Sequence, residues 1–241
     1  MIFPVISIIL KKGSRRRGRD IEQRKQDSGG ILITVEGIEG SGKTTQLAAL
    51  GAYLQAKGFP VRLTREPGGT PIGDAIRAIL LRPDHADMAP MTELLLMGAG
   101  RAQHVHEVLR PGLGRGEVLL CDRFSDATLA YQGYGRGLDL ERVRWVNEAA
   151  TGGLKPDLTI LLDCPVEMGL ERSWARLRED GKAGEESRFE KEALEFHRRV
   201  REGYLHIARQ EPDRVKVVDG GCPPEGVEEE IREHVCRRLG V

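Results

Sequence analysis

A glycine-rich segment near the amino end of the chain has the residue types and spacing of a phosphate-binding loop. It fits the pattern G-x-x-x-x-G-K-S/T in full and consists of Gly37, Ile38, Glu39, Gly40, Ser41, Gly42, Lys43, Thr44 and Thr45. Glycines allow successive backbone N–H groups to surround a phosphate, and the N-terminus of a following helix favours an anion. We expect this phosphate loop to bind a nucleoside triphosphate, with Lys43 on the β- and γ-phosphates and the Thr44 hydroxyl on Mg²⁺.

An aspartate further along the chain could share that metal. Asp122 ends the apolar run Val118–Asp122, where P-loop enzymes hold a carboxylate near Mg²⁺, directly or through water. The competing interpretation is a helix N-cap.

The chain has no N-K-x-D sequence, which a guanine-reading switch protein would need, and its 241 residues suit a small-molecule kinase. The loop alone does not identify the phosphoryl acceptor.

The elements that must position these residues are five short apolar runs alternating with longer helical patterns. Runs of this kind are typical of strands buried on both faces, and strand–helix–strand repetition predicts a parallel sheet. We therefore predict an α/β fold with strands Ile31–Glu36, Val61–Arg65, Val118–Asp122, Leu158–Asp163 and Val215–Asp219. The predicted helices flank both faces and are Lys43–Lys57, Ile72–Leu81, Met91–Leu113, Leu138–Thr151, Val166–Arg178, Phe189–Gln210 and Gly226–Leu239.

Composition excludes several classes of protein. The chain has 37 basic and 37 acidic residues, and this balance argues against a general nucleic-acid coat protein, which needs a basic excess. No apolar run reaches the roughly 18–20 residues of a membrane span. The four cysteines form no C-x-x-C pair, so we expect reduced thiols in a cytoplasmic protein rather than a disulfide framework or a zinc site.

Residues 1–29 differ from the remainder of the chain. They hold eight basic and three acidic residues after an apolar start. One interpretation is a basic arm that contacts anionic surfaces. We favour a poorly ordered extension, since termini are often disordered, followed by one domain over residues 30–241.

Four further motifs follow the phosphate loop in a fixed order. They are Thr64–Thr70 (TREPGGT), Cys121–Phe124 (CDRF), Ala130–Gly133 (AYQG) and Lys155–Thr159 (KPDLT). As a set they resemble the bacterial thymidylate kinases, and the resemblance spans residues 30–240. It implies a P-loop NTPase fold with a five-stranded parallel sheet, MgATP as co-substrate, and in-line transfer of the γ-phosphoryl group to dTMP. It also implies a homodimer through the predicted helix Met91–Leu113, although core packing explains the same apolar pattern.

The resemblance also implies an acceptor site. A phosphate monoester is already an anionic nucleophile, so the site chiefly needs cations that hold two phosphates in line. Lys43, Asp122, Arg123 and Arg176 are the expected catalytic residues. The expected dTMP-binding residues are Glu39, Glu66, Pro67 (after a cis peptide bond), Arg77, Met97, Arg101, Arg123, Thr128, Tyr131 and Gln132. For Arg77 alone, a solvated helix face is the competing interpretation.

Two features depart from the family pattern. Met97 occupies the base-stacking position where phenylalanine is usual, and the mobile lid expected over residues 172–188 is longer than usual. Gly40 in the loop matches family members that supply an arginine from the lid, and Arg176 is the best match among the arginines there. A solvated helix end is the alternative for Arg176.

The alternative functions are a kinase for another pyrimidine deoxynucleoside monophosphate and a catalytically silent nucleotide-binding module.

Overall fold

A five-stranded parallel sheet forms the centre of the protein. The computed structural model describes residues 29–241, so the predicted extension, apart from Gly29, lies outside the described residues. The strand order is β2–β3–β1–β4–β5. The strands are β1 (Ile31–Glu36), β2 (Val61–Arg65), β3 (Val118–Asp122), β4 (Leu158–Asp163) and β5 (Val215–Asp219), which confirms all five predicted strands.

The connections between the strands are mainly helical. The α-helices are α1 (Lys43–Ala56), α2 (Pro71–Leu81), α3 (Pro90–His104), α4 (Arg110–Gly114), α5 (Ser125–Thr128), α6 (Leu140–Thr151), α7 (Val166–Glu179), α8 (Leu194–Gln210) and α9 (Pro224–Leu239). A 3₁₀ turn covers Pro83–His85, and π-helical segments cover Val105–Leu109 and Leu129–Gly135. Within residues 29–241, no helix combines the length and the apolar character needed to cross a bilayer.

The central strand β1 is buried on both faces because successive side chains point to opposite sides. Leu32 packs in a cluster with Leu109 and Phe124 on one face, and Ile33 packs with Leu50 of α1 on the other. β1 pairs with β3 in a register that aligns Val35 with Asp122. The phosphate loop therefore starts beside the end of β3, at the carboxyl edge where α/β sheets bind ligands.

Two predicted helices differ from the structure, and one helical segment was not predicted. The predicted helix Met91–Leu113 is helical throughout, but it takes a π-helical form at Val105–Leu109, shortly before Pro111, because proline lacks the N–H for a regular helical bond and its ring crowds the preceding turn. The predicted helix Phe189–Gln210 begins only at Leu194, while Phe189 packs against Tyr131 as part of the core. The helical residues 125–135 were missed altogether.

Candidate active site

The phosphate loop connects β1 to α1, as the sequence predicts. Gly40 (φ 67°) and Gly42 (φ 95°) have left-handed backbone conformations, which glycine adopts without steric strain. A Cβ atom on Gly40 would overlap the carbonyl oxygen of Gly169 in α7. The shape of the loop thus depends on its own backbone and on close packing against α7.

Lys43, the first residue of α1, is buried beneath the loop. Its Nζ donates a 2.6 Å hydrogen bond to the carbonyl of Ile38. Burial and the neighbouring Arg123 lower the pKa of Lys43 to about 8, although Asp122 acts in the opposite direction. A bound triphosphate would add negative charge here and favour the protonated amine.

The Thr44 hydroxyl donates a 3.0 Å hydrogen bond to Oδ2 of Asp122. The two predicted magnesium residues are therefore adjacent. Residues 29–241 contain no group of three or more His, Cys, Asp or Glu side chains arranged to hold a metal. A hydroxyl beside one carboxylate still fits Mg²⁺, which is usually bound by one or two carboxylates together with substrate phosphates and water.

Arg123 has a positive φ of 69°, and it is the one residue other than glycine that does so in the described part of the chain. Its guanidinium donates to the carbonyl of Gly37 at 2.8 Å and to the hydroxyl of Tyr204 at 3.1 Å. It also lies 3.3 Å from a carboxylate oxygen of Glu39. Backbone strain at such a position is typical of functional sites, and here it places a cation against the phosphate loop.

Glu39 is a buried carboxylate within the phosphate loop. The hydroxyl of Tyr131 donates to its Oε1 at 2.5 Å, and Nδ1 of the fully buried His197 lies 3.3 Å from its Oε2. Burial alone would raise the pKa of Glu39, but His197, Arg123 and Lys43 outweigh burial and hold this pKa well below its usual range. The loop therefore carries an ionised carboxylate beside its cations.

Arg101 is almost completely buried between three segments of the chain. Its Nε donates to Glu66 at 2.8 Å, one terminal nitrogen donates to Thr128 and Asn147, and the other donates to the carbonyl of Phe124. Four of its five N–H groups therefore have protein partners. Glu66 also bonds to His104 at 2.8 Å, and the peptide bond after Glu66 is cis, as predicted.

A second buried ion cluster surrounds Glu93 in α3. Gln132 donates its side-chain amide to Glu93 Oε1 at 2.8 Å, and the guanidinium groups of Arg136 and Arg188 bond to the same carboxylate. Met97, one helical turn after Glu93, packs in a core cluster with Tyr131. The cluster joins the predicted base-binding residues to the end of the expected lid.

Arg77 in α2 is held by two acceptors. It donates to the carbonyl of Pro67 at 3.2 Å and to Oε2 of Glu186 at 2.9 Å. Glu186 lies within the expected lid. A carboxylate of the lid is therefore paired with Arg77, the arginine predicted to bind the monophosphate. Arg176 is exposed and makes no side-chain hydrogen bond or ion pair with any residue from 29 to 241.

Most of the predicted site residues are brought together, but several of their partners were missed. The phosphate loop, Asp122, Arg123 and Tyr131 share contacts, and so do Glu66, Arg101 and Thr128, whereas Arg176 contacts neither group. The missed residues are Glu93, Arg136, Asn147, Arg188, His197 and Tyr204. The sequence could have indicated Glu93, because it precedes Met97 by four residues and Arg101 by eight and so lies on the same helix face as both.

A family model and several curated proteins match most of this chain. A family model described as thymidylate kinase matches residues 35–231. The thymidylate kinase of Geotalea daltonii is 58% identical over 192 residues, which are 80% of this chain and 90% of that protein. That of Geotalea uraniireducens is 54% identical over 211 residues, which are 87% of this chain and 98% of that protein.

A solved structure extends the likeness to the fold. The crystal structure of thymidylate kinase from Ehrlichia chaffeensis is 31% identical, with a TM-score of 0.69, and the match covers 86% of this chain and 99% of the other. The family model covers well over half of the chain, and the residues it spans include the phosphate loop, Arg101, Asp122 and Arg123. This chain belongs to the thymidylate kinase family.

Proposed function

We propose that this protein phosphorylates dTMP to dTDP by in-line transfer of the γ-phosphoryl group of ATP, within dTTP synthesis. The observation that carries the proposal is the position of Arg123. Its guanidinium contacts Gly37 of the ATP-binding loop and Glu39, whose carboxylate also accepts from Tyr131 of the acceptor side. A cation at this junction can hold the transferred phosphoryl group and the acceptor phosphate together.

The chemistry requires positioning and charge neutralisation rather than a strong base. The acceptor phosphate is an anionic nucleophile, and its repulsion from ATP is the main obstacle. Lys43 and Arg123 supply positive charge on the two sides of the junction. When bound by Thr44 and Asp122, Mg²⁺ would neutralise charge on the β- and γ-phosphates. We assign no covalent enzyme intermediate to the reaction.

The acceptor nucleotide would lie between α2, α3 and residues 125–135. We assign the dTMP phosphate to Arg77 and Arg123, and the base to a pocket bordered by Met97, Arg101, Thr128 and Gln132. Glu66 and Pro67 support this pocket, because Glu66 bonds to Arg101 and the Pro67 carbonyl bonds to Arg77. Tyr131 would occupy the space that a ribose 2′-hydroxyl needs, which favours deoxynucleotides.

Residues 172–188 would act as a lid that closes on ATP. Arg176 is free of protein partners within residues 29–241, so it can turn toward the transferring phosphoryl group when the lid closes. Closure would exclude water and strengthen this interaction. A lid role predicts that Arg176→Ala lowers kcat more than it raises KM for dTMP.

The test is a coupled assay of ADP release with MgATP and dTMP. We expect turnover on dTMP that falls at least 100-fold in both Lys43→Ala and Arg123→Ala, while Lys57→Ala, an exposed lysine at the end of α1, keeps it. Turnover with another pyrimidine monophosphate but not with dTMP would support the alternative kinase, which Met97 in place of an aromatic ring favours. ATP binding without any turnover would identify a silent nucleotide-binding module.

We also propose a homodimer in the cytoplasm. Large apolar side chains are exposed on the neighbouring helices α2, α3 and α6, with Leu95 54% and Trp145 70% exposed. Ile72 and Ile79 of α2 add to this apolar surface. Sedimentation analysis should give a dimer that Leu95→Glu dissociates, whereas Val217→Glu, on the far edge strand β5, leaves it intact. All four cysteines are free thiols, in keeping with a reducing compartment.

A further inference from the structure

Two hydrogen-bonded pairs join α3 to residues 125–135 in a ladder. On α3, Glu93, Met97 and Arg101 are each four residues apart and therefore share one helix face. Thr128 and Gln132 are also four residues apart. Arg101 donates to Thr128 at 2.9 Å, and Gln132 donates to Glu93 at 2.8 Å, so Met97 lies along α3 between the two pairs.

The partner of Gln132 determines which way its amide points. Glu93 is fully buried and accepts bonds from Arg136 and Arg188 as well as from Gln132. Burial would raise its pKa, but the bonds and charges of Arg136 and Arg188 outweigh burial and lower this pKa. An ionised carboxylate can only accept hydrogen bonds, so Gln132 must present its NH₂ group to Glu93.

The carbonyl oxygen of Gln132 is consequently turned away from Glu93. It forms no hydrogen bond with any residue in the range 29–241. It is also not one of the fully buried side-chain atoms of that range that lack a hydrogen-bond partner. The carbonyl oxygen therefore keeps a small exposed area, although Gln132 as a whole is only 1% exposed. A base resting on Met97 would meet an acceptor at this point.

We propose that Glu93 is a positioning residue that makes Gln132 a selective acceptor for a base with an N3–H donor. This inference rests on the proposed function. Thymine and uracil carry a hydrogen on N3, whereas N3 of cytosine is itself an acceptor. A carbonyl facing cytosine N3 in a largely desolvated site leaves two acceptors unpaired, and sites built to bond a donor reject analogues that lack it strongly.

The direct test is Glu93→Gln. A glutamine at position 93 can offer either a donor or an acceptor, so the Gln132 amide becomes free to rotate and to present its NH₂ group to cytosine. The kcat/KM values for dTMP, dUMP and dCMP should be measured for both proteins. We expect the dTMP/dCMP ratio to fall at least tenfold and the dTMP/dUMP ratio to stay within about twofold, because both of those bases carry N3–H.

Two further variants keep the test decisive. Glu192→Gln removes another carboxylate partner of Arg136, which lies 2.7 Å away, without touching Gln132, and should leave both ratios unchanged. Gln132→Leu keeps Glu93 and both arginines, so it tests whether the Gln132 carbonyl is the selective acceptor on which the inference depends, even if Glu93→Gln fails to fold. It should lower kcat/KM for dTMP and dUMP at least tenfold more than for dCMP.

The outcomes separate the inference from the proposed function. If Glu93→Gln or Gln132→Leu leaves the ratios of kcat/KM among the three substrates unchanged, the positioning role is overturned. Wild-type turnover on dTMP would still uphold the proposed function in that case. Absence of wild-type turnover on any pyrimidine monophosphate would overturn both. A lower dTMP/dCMP ratio in Glu192→Gln would also count against the inference, because it would assign the effect to Arg136.

Discussion

The Thr44 hydroxyl lies 3.0 Å from Oδ2 of Asp122, although 78 residues separate the two along the chain. The pairing of β1 with β3 brings them together, since Val35 and Asp122 are partners in the sheet. Lys43 directly precedes Thr44, and Arg123 directly follows Asp122. The residues expected to meet ATP and its metal are therefore positioned by one pair of strands.

Asp122→Asn should raise the Mg²⁺ concentration needed for half-maximal activity at least tenfold and lower kcat. Asparagine can still accept the bond from Thr44, but it lacks the negative charge that attracts the cation. Titration of activity with Mg²⁺ at saturating ATP measures the effect. Asp213→Asn, on an exposed turn, is the control. An unchanged Mg²⁺ dependence in Asp122→Asn would remove Asp122 from the metal site.

ATP binding should weaken as pH rises through about 8. Burial and Arg123 lower the pKa of Lys43 to about 8 in the free protein, whereas bound phosphates favour its protonated form. Between pH 8 and the higher pKa of the complex, binding must therefore take up a proton, and affinity should fall by up to about tenfold per pH unit. Calorimetric titration in buffers with different ionisation enthalpies measures both effects.

The matched control for this pH dependence is Lys43→Arg. A guanidinium stays protonated across this range, so its ATP affinity should vary little between pH 8 and pH 9.5, whatever its absolute value. Proton uptake that persists in Lys43→Arg would assign the pH dependence to another group.

Glu186→Gln should lower KM for dTMP about two- to fivefold without changing kcat. Glu186 lies 2.9 Å from Arg77, and both side chains are about a quarter exposed. If Arg77 binds the acceptor phosphate as proposed, Glu186 competes with that phosphate, and pairs of this kind contribute roughly 1 kcal/mol or less. Glu185→Gln, an exposed neighbour without an ion pair among the described residues, should have no effect. A higher KM in Glu186→Gln would show that Glu186 supports binding instead.

Glu36→Gln should flatten the pH dependence of stability. Burial and the charge of Asp126 raise the pKa of Glu36 from 4.5 to about 8. Between these values the folded protein holds a proton that the unfolded chain releases. The free energy of unfolding should therefore decrease as pH rises from 4.5 to 8, by up to about 1.4 kcal/mol per pH unit.

Urea unfolding of the wild type and of Glu36→Gln across that pH range tests this expectation. The difference between the two free energies of unfolding should change with pH in favour of the variant as pH rises. A constant difference would mean that Glu36 is already ionised in the folded protein. Tyr204 and the backbone N–H of Phe124 bond to Glu36 in the folded state, so the variant also tests how well an amide replaces a carboxyl group there.

Sequence patterns predicted the strands better than the helices. Each strand is a short apolar run bounded by charged residues, glycine or proline, and such runs have few other ways to be buried. The helix predicted to start at Phe189 starts at Leu194. Phe189 was included in the predicted helix because its apolar side chain fits the helical spacing, but it is buried against Tyr131 outside the helix. Apolar spacing reports burial, and burial alone does not distinguish a helix from a packed loop.

The candidate site shows the same division. Arg101 was predicted to contact the base, and the structure shows four of its N–H groups bonded to the protein. Its acceptors Glu66, Thr128 and Asn147 come from three distant segments. No local pattern in the sequence could have indicated that they converge on one guanidinium.

The sequence by itself determined the phosphate loop and the alternation of strands and helices, because both depend on neighbours along the chain. Gly40 and Gly42 supply backbone conformations that belong to their own residues. Only the tertiary structure decided that Gln132 donates to Glu93 and that Arg77 pairs with Glu186. The bonding of a buried polar side chain depends on which donors and acceptors the packing of other elements brings within about 3 Å.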